Sequence, residues 1–371
     1  MPELDILSLR LRNQHLSQSQ FSKPAEIVKW LGAVQAQDYA GAKWALGQRL
    51  KNCSDETIEK AFTIGDIIRT HVLRPTWHLV APEDLRWMTE LTSARIQGIA
   101  GTQYRQHQLD HAVFSTCEKT IQRTLEGGKQ LMRNDIAAAL QQAGVATDEQ
   151  RFIHIMMQME LIGLVCSGGR VGKQFTYALV DERVAPTQPL SKDEALGILA
   201  ERYFTAHGPA TLQDFAWWSG LTVADAKAGL EMIKHNLINC DFEGAKYWLT
   251  QPAGDVHGKS GKAYLLPNYD EYIVSYRDRS ATIREKDVSQ ADPRGTIFNH
   301  TFVINGKIEG IWKRDLGKNK LSVEIIPFRS LSKAASGALE AAAGRYAKFL
   351  GLKTSELKYL VLDSIKHQPG A

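Results

Sequence analysis

The chain has 371 residues, 43% of them hydrophobic and 23% charged, which is the balance of a globular protein with length for about two to three domains. Cys53, Cys117, Cys166 and Cys240 lie far apart with no Cys-x-x-Cys pair, which excludes a zinc ribbon and a disulfide framework and suits a reducing cytoplasm. The net charge of +4 is uneven, with 19 Lys and Arg against 12 Asp and Glu from Val256 to Ala371, so a polyanionic partner is mildly favoured.

The opening MPELDILSLRLRNQ lacks the apolar region of a secretion signal, and no run reaches the roughly 18 apolar residues of a membrane span. A cytoplasmic protein with no membrane partner is expected. Ile27, Trp30, Leu31 and Val34 fall at i, i+3, i+4 and i+7, the stripe of an amphipathic helix, with Pro24 near its first turn. A second helix is predicted over Ala42 to Leu50, and a third starts at an N-cap, Ser54. IIRTHVLRPTWHLV then reads as two short strands around a turn at Leu73 to Thr76. Three helices and a hairpin make a winged helix. The pattern recurs twice. Asn134 to Leu140 is helical, Phe152, Ile155, Met156 and Met159 form the next stripe, and LIGLVCSGGRVGKQFTYALV is a hairpin turning at Ser167 to Arg170. SKDEALGILAERYF, ATLQDFAWWSG and TVADAKAGLEMI lead to a hairpin around Phe242 to Ala245. After Asp255 the texture changes: HGKSGKAYLLP is loop then strand, Asn305 and Gly306 carry the strongest short hairpin signal, Lys318 and Asn319 begin another turn, and an Ala-rich helix spans Ser332 to Leu350. The expected fold is α+β and mostly helical: three tandem winged helices over 1–105, 106–188 and 189–255, then a small antiparallel β-barrel and a helix over 256–371.

His107 and His111 in HQLDH nearly match the zinc motif His-Glu-x-x-His, but Gln108 replaces the catalytic Glu, so two exposed histidines on a polar helix are expected and no metal. Gly258, Lys259 and Ser260 look like the end of a phosphate loop, yet Ala253 stands where its first glycine belongs, so no nucleotide cofactor is expected. Asp270 and Glu271, read as strand neighbours, point to opposite faces and form a structural or solvated pair. Arg170 and Lys173 have no acidic neighbour in sequence until Asp181; the hairpin that carries them either reaches a phosphate backbone or is a solvated turn. Arg69, His71, Arg74 and His78 give the first hairpin groups that can hydrogen-bond phosphate, while Trp77 reads as core. The most unusual segment is VQAQDY. If extended, Gln35 and Gln37 face the same way, and two amides can hold a water and offer oxygen dipoles to a cation. The alternative is a solvated pair at a helix end.

LGAVQAQDYAGAKWALGQRL, RTHVLRPTWHLVAPEDL, LLPNYDEYIVSYRDR and GKIEGIWKR, in this order along nearly the whole chain, resemble the winged-helix DNA glycosylases of the AlkZ–YcaQ type. The resemblance implies a basic channel for double-stranded DNA carrying alkylated purines, and hydrolysis of the N-glycosidic bond of N7-alkylated purines, with interstrand crosslinks unhooked by some members. The family signature is Gln-x-Gln in one subgroup, which implies Gln35 and Gln37 as the catalytic pair. Asp38 in an extended segment faces away from Gln37 and can instead cap the next helix. Lys313 and Arg314, which close the last of these stretches, join Arg69, Arg74, His78, Arg170 and Lys173 as expected DNA contacts. A monomeric, monofunctional enzyme without metal or nucleotide is expected, nucleoid-associated in a bacterium. The rival readings are a non-catalytic winged-helix regulator and, less favoured, a protein-interaction scaffold.

Overall fold

A computed structural model describes residues 5–251, 261–291, 299–317, 319–352 and 354–360. The Gly258 to Ser260 stretch, most of the loop before the first C-terminal strand, and Lys318 of the predicted turn lie outside the described residues. The architecture is mixed α/β, with four separate small sheets among the described residues.

The first unit holds α1 (Ile6–Asn13), α2 (Pro24–Leu31), β1 (Val34–Gln35), α3 (Tyr39–Gly47), α4 (Asp55–Ile64), β2 (Ile68–His71) and β3 (Trp77–Val80). Pro24 opens α2, where its missing N–H costs nothing, and Ile27, Val28 and Leu31 face the core. Ser54 caps α4 by accepting the Thr57 N–H at 3.2 Å. The predicted hairpin is present, and β1 joins it as a third strand in the order β1-β3-β2. A helix missed by the periodicity follows, α5 (Pro82–Gln106). Its buried stripe of Leu85, Met88, Thr92, Ile96 and Ala100 includes a threonine and an alanine, which blurs the apolar pattern.

The second unit contains α6 (His111–Leu125), β4 (Leu131–Met132), α7 (Arg133–Gln142), α8 (Glu149–Leu161), β5 (Val165–Val171) and β6 (Gln174–Leu179). Two expectations are corrected here. His107 ends α5 and His111 opens α6, so they do not share one helix face. The hairpin turns at Gly172, φ 60°, and not at Ser167 to Arg170. Gly168 and Gly169 instead form a bulge, because the pairing steps from Ser167 opposite Tyr177 to Arg170 opposite Phe175. A Cβ on Gly168 would lie 2.3 Å from the Thr176 hydroxyl, so only glycine fits.

The second unit closes with α9 (Val180–Arg183), and the third has α10 (Lys192–Ala206), α11 (Leu212–Ser219), α12 (Val223–Ile233) and the hairpin β7 (Leu237–Phe242) and β8 (Ala245–Thr250), turning at Glu243 and Gly244.

The C-terminal part comprises β9 (Ala263–Leu266), α13 (Glu271–Val274), α14 (Val288–Ala291), β10 (Thr301–Ile304), β11 (Lys307–Leu316), β12 (Lys320–Pro327), α15 (Lys333–Phe349) and β13 (Thr354–Tyr359). Asn305 and Gly306 make the predicted turn with φ 49° and 80°. Among the described residues the expected barrel is not found. The sheet is open, in the order β13-β12-β11-β10-β9. The chain leaves β12, crosses one face as α15 and returns as the parallel strand β13, so closing residues go over the sheet and not around it. Leu339, Ala342 and Tyr346 of α15 share a core with Phe302, Trp312 and Val323 of the sheet and with Ile27, Leu31 and Trp44 of the first unit. No helix among the described residues is long and apolar enough to cross a membrane.

Candidate active site

The Gln-x-Gln segment is anchored by its main chain. Gln35 pairs with His78 across β1 and β3, and the Ala36 N–H donates to the Trp77 carbonyl at 2.7 Å. The Ala36 carbonyl accepts from Arg69 Nε at 3.1 Å. Asp38 caps α3 by accepting the Gly41 N–H at 3.0 Å, which ends the extended stretch after Gln37. The segment is therefore two residues of strand, one braced residue, then Gln37 and a helix cap.

The two glutamines differ sharply. Gln37 is exposed and its side chain has no hydrogen-bond partner among the described residues. Gln35 is 7% exposed. Its N–H donates to Glu271 Oε1 at 2.8 Å, and its Oε1 accepts from Arg74 Nη2 at 3.2 Å. Glu271 is fully buried, and its Oε2 accepts from Trp218 Nε1 at 3.0 Å and from the Ser275 hydroxyl at 2.6 Å. Burial raises the Glu271 pKa; the bonds from Ser275, Gln35 and Trp218 and the Arg74 charge oppose that shift.

Asp270 and Glu271 are not the strand neighbours expected from the sequence. They stand instead at the start of α13, with Asp270 as its N-cap. They still serve different partners: Asp270 is held by Arg49 through two bonds, at 2.7 and 2.9 Å, with both side chains fully buried. The available signal was an acid pair inside the otherwise apolar run LLPNYDEYIV, where a buried charge demands a partner.

The cations expected to meet DNA divide into two groups. Arg69 is buried between the rings of Trp77, at 4.2 Å, and Phe175, at 4.5 Å, and burial pulls its pKa down to about 10. His78 is fully buried; its Nδ1 lies 2.9 Å from the Thr76 carbonyl, which assigns the proton there, and Nε2 is left without a partner. Burial, then the Arg74 charge, holds its pKa well below the ordinary value. Arg74 is turned onto Gln35, and burial lowers its pKa. These three, all named above as expected DNA contacts, brace the segment from inside. His71 is paired with Glu160 and its ring packs at a tilt against Trp77. Arg170 is half-buried, bonded to Glu59 at 3.1 Å and lying over Tyr39. Lys173 is exposed at the hairpin tip, and Lys313 is exposed on β11. Arg314 is engaged by the Tyr346 hydroxyl. Among the described residues no group of three or more His, Cys, Asp or Glu could hold a metal.

The sequence model of the family described as DNA glycosylase AlkZ-like matches residues 28–349. An interstrand DNA cross-link repair glycosylase from Streptomyces sahachiroi is 20% identical over 83% of this chain and 86% of its own length. The solved structure of the Streptomyces sahachiroi DNA glycosylase AlkZ superposes with a TM-score of 0.78 at 18% identity, over 96% of this chain and 98% of that one, and so shares the fold. With the family match running from α2 to the end of α15 and taking in the anchored Gln-x-Gln segment, the chain belongs to the AlkZ-like DNA glycosylases.

Proposed function

We propose that this DNA glycosylase hydrolyses the N-glycosidic bond of N7-alkylated purines in double-stranded DNA, and unhooks interstrand crosslinks made through such purines. The observation that carries the reading is an exposed amide, Gln37, beside a second amide that buried groups hold fixed. An N7-alkylated purine already carries a positive charge and is a good leaving group. The C1′–N9 bond breaks, its electron pair leaves with the purine and cancels that charge, and a water oxygen adds to C1′ while one proton passes to solvent. Such a reaction needs a placed water and dipoles aimed at the developing sugar cation more than a strong acid. Amides do not titrate, so neither glutamine is a general base in the usual sense. The Gln-x-Gln signature contains no lysine amine, which favours a monofunctional hydrolase over a Schiff-base lyase. The crosslink activity is supported by the Streptomyces sahachiroi relative, an interstrand DNA cross-link repair glycosylase.

Helices followed by a hairpin, three times along the chain, support a reading as tandem winged helices over 1–105, 106–188 and 189–255. Lys173 and Lys313 are the phosphate contacts best supported by exposure, with Arg170 and Arg314 joining once their internal partners release them. We take the working form to be a cytoplasmic monomer. A winged-helix regulator without catalysis is the competing reading, and it has no use for the Gln-x-Gln pair. Incubating the protein with duplex DNA containing 7-methylguanine, in EDTA and without nucleotides, separates the two. Abasic sites should accumulate. Binding with no base release, or release that requires one particular metal, defeats the proposal.

A further inference from the structure

Arginine carries donors only, so the end of the Gln35 amide that faces Arg74 is its oxygen. The other end, Nε2, has no partner among the described residues, and it is not sealed from solvent as Arg74 Nε and His78 Nε2 are. We propose that Arg74 is a positioning residue: it holds the Gln35 oxygen inward, so that Gln35 meets the reacting water as a hydrogen-bond donor while Gln37 alone is free to offer an amide oxygen. This inference rests on the glycosylase reading above.

The lock has three parts. Glu271 takes the Gln35 N–H and fixes the main chain. The same carboxylate, held by Trp218 and Ser275, is a nearby countercharge for the half-buried Arg74 guanidinium. The turn carrying Arg74 is packed tightly by the end of α11, where a Cβ on Gly220 would lie 2.0 Å from the Leu73 carbonyl oxygen. An NH2 group pointed at a sugar cation would be repulsive. Pointed at the lone pair of the attacking water, it orients that water, and the oxygen dipole toward the cation comes from Gln37. Arg74 thus acts through Gln35 and touches neither phosphate nor sugar.

The test is a double-mutant cycle in single-turnover excision of 7-methylguanine, with DNA affinity and its salt dependence measured alongside. Gln35→Ala and Arg74→Met should each slow excision by roughly 10²-fold or somewhat less, and the double variant should be no slower than Gln35→Ala alone. Arg74→Met should leave the salt slope unchanged, whereas loss of a phosphate contact lowers it by about 0.9. Gln35→Glu covers the case in which Arg74→Met unfolds: it keeps an acceptor for Arg74 and removes the NH2, so it should melt no lower than wild type and excise as poorly as Gln35→Ala. Additive effects in the cycle, a reduced slope, or a Gln35→Glu variant as fast as wild type overturns the assignment of Arg74. A wild type that releases no alkylated base overturns the glycosylase reading itself.

Discussion

Gln35 and Gln37 are chemically identical and two residues apart, yet strand pairing, a buried carboxylate and a helix cap give them different freedom. Gln37 has the exposed amide, so its truncation should hurt chemistry without hurting the fold. Gln37→Ala should lower single-turnover excision by roughly 10²-fold or more, by analogy with removing one preorganised dipole, while DNA affinity and the melting temperature stay near wild type. Gln37→Asp places a titrating carboxylate at the same point. It should retain partial activity on small methyl adducts, and its rate should rise with pH through the carboxylate range as the aspartate ionises and becomes able to stabilise a cation. A wild-type rate in both Gln37→Ala and Gln35→Ala would remove the pair from the catalytic step. The pair was visible in the sequence because Gln-Ala-Gln is a local pattern. Its supports were not: Glu271 reaches Gln35 across 236 residues and Arg74 across 39, and periodicity contains no term for contacts at that separation.

At the scale of elements, helix starts were legible wherever a side chain supplies the cap, as at Ser54, Asp38 and Ser332. Tight turns were legible where two residues need positive φ, as at Asn305 and Gly306. The double glycine at 168 and 169 misled because glycine serves both turns and bulges, and Thr176 on β6 and Gln130 just before β4, crowded against it, decide which. The β5–β6 hairpin that results keeps Arg170 against Glu59 and leaves Lys173 at the tip. Their contributions to DNA binding should therefore differ. Lys173→Ala should lower the salt slope of affinity by about 0.9, as one lost phosphate contact does. Arg170→Ala should change the slope less, because an exchange of Glu59 for phosphate returns only part of the gain. An equal effect of the two would mean that Arg170 leaves Glu59 completely in the complex; no effect of either would place the hairpin off the DNA. The measurement is affinity for an undamaged duplex across a series of salt concentrations.

For the whole molecule, the first unit and the C-terminal part share one interior. Trp44 donates to the Leu265 carbonyl at 2.6 Å, Arg49 holds Asp270, and the open C-terminal sheet shares its core with the first unit. His207 sits where these parts meet. It is fully buried between Tyr203 and Trp218, its Nε2 lies 3.0 Å from the Leu31 carbonyl and its Nδ1 3.4 Å from Gln14 Nε2. The carbonyl requires Nε2 to carry the hydrogen, so Nδ1 accepts from Gln14 and the ring is neutral. Burial lowers its pKa to about 3, and burial lowers that of His300 to about 4. In the unfolded chain both rings titrate near the ordinary 6.5. Between these values the unfolded state binds protons that the folded state refuses, so stability is complete above about pH 6.5 and declines as pH falls toward 4 and then 3. The melting temperature should be flat from pH 8 to 7 and fall steadily below pH 6.5, before most carboxylates begin to protonate. His207→Gln removes one of these rings and retains an amide for the Leu31 carbonyl. It should melt lower than wild type at pH 7.5 and lose less between pH 6.5 and 4.5, with the share of His300, His78 and the other rings whose pKa is lowered by burial remaining. A wild-type melting temperature that stays level down to pH 4.5 would show that these rings take up protons in the folded protein, and that the junction between the first unit and the C-terminal sheet is not closed to water.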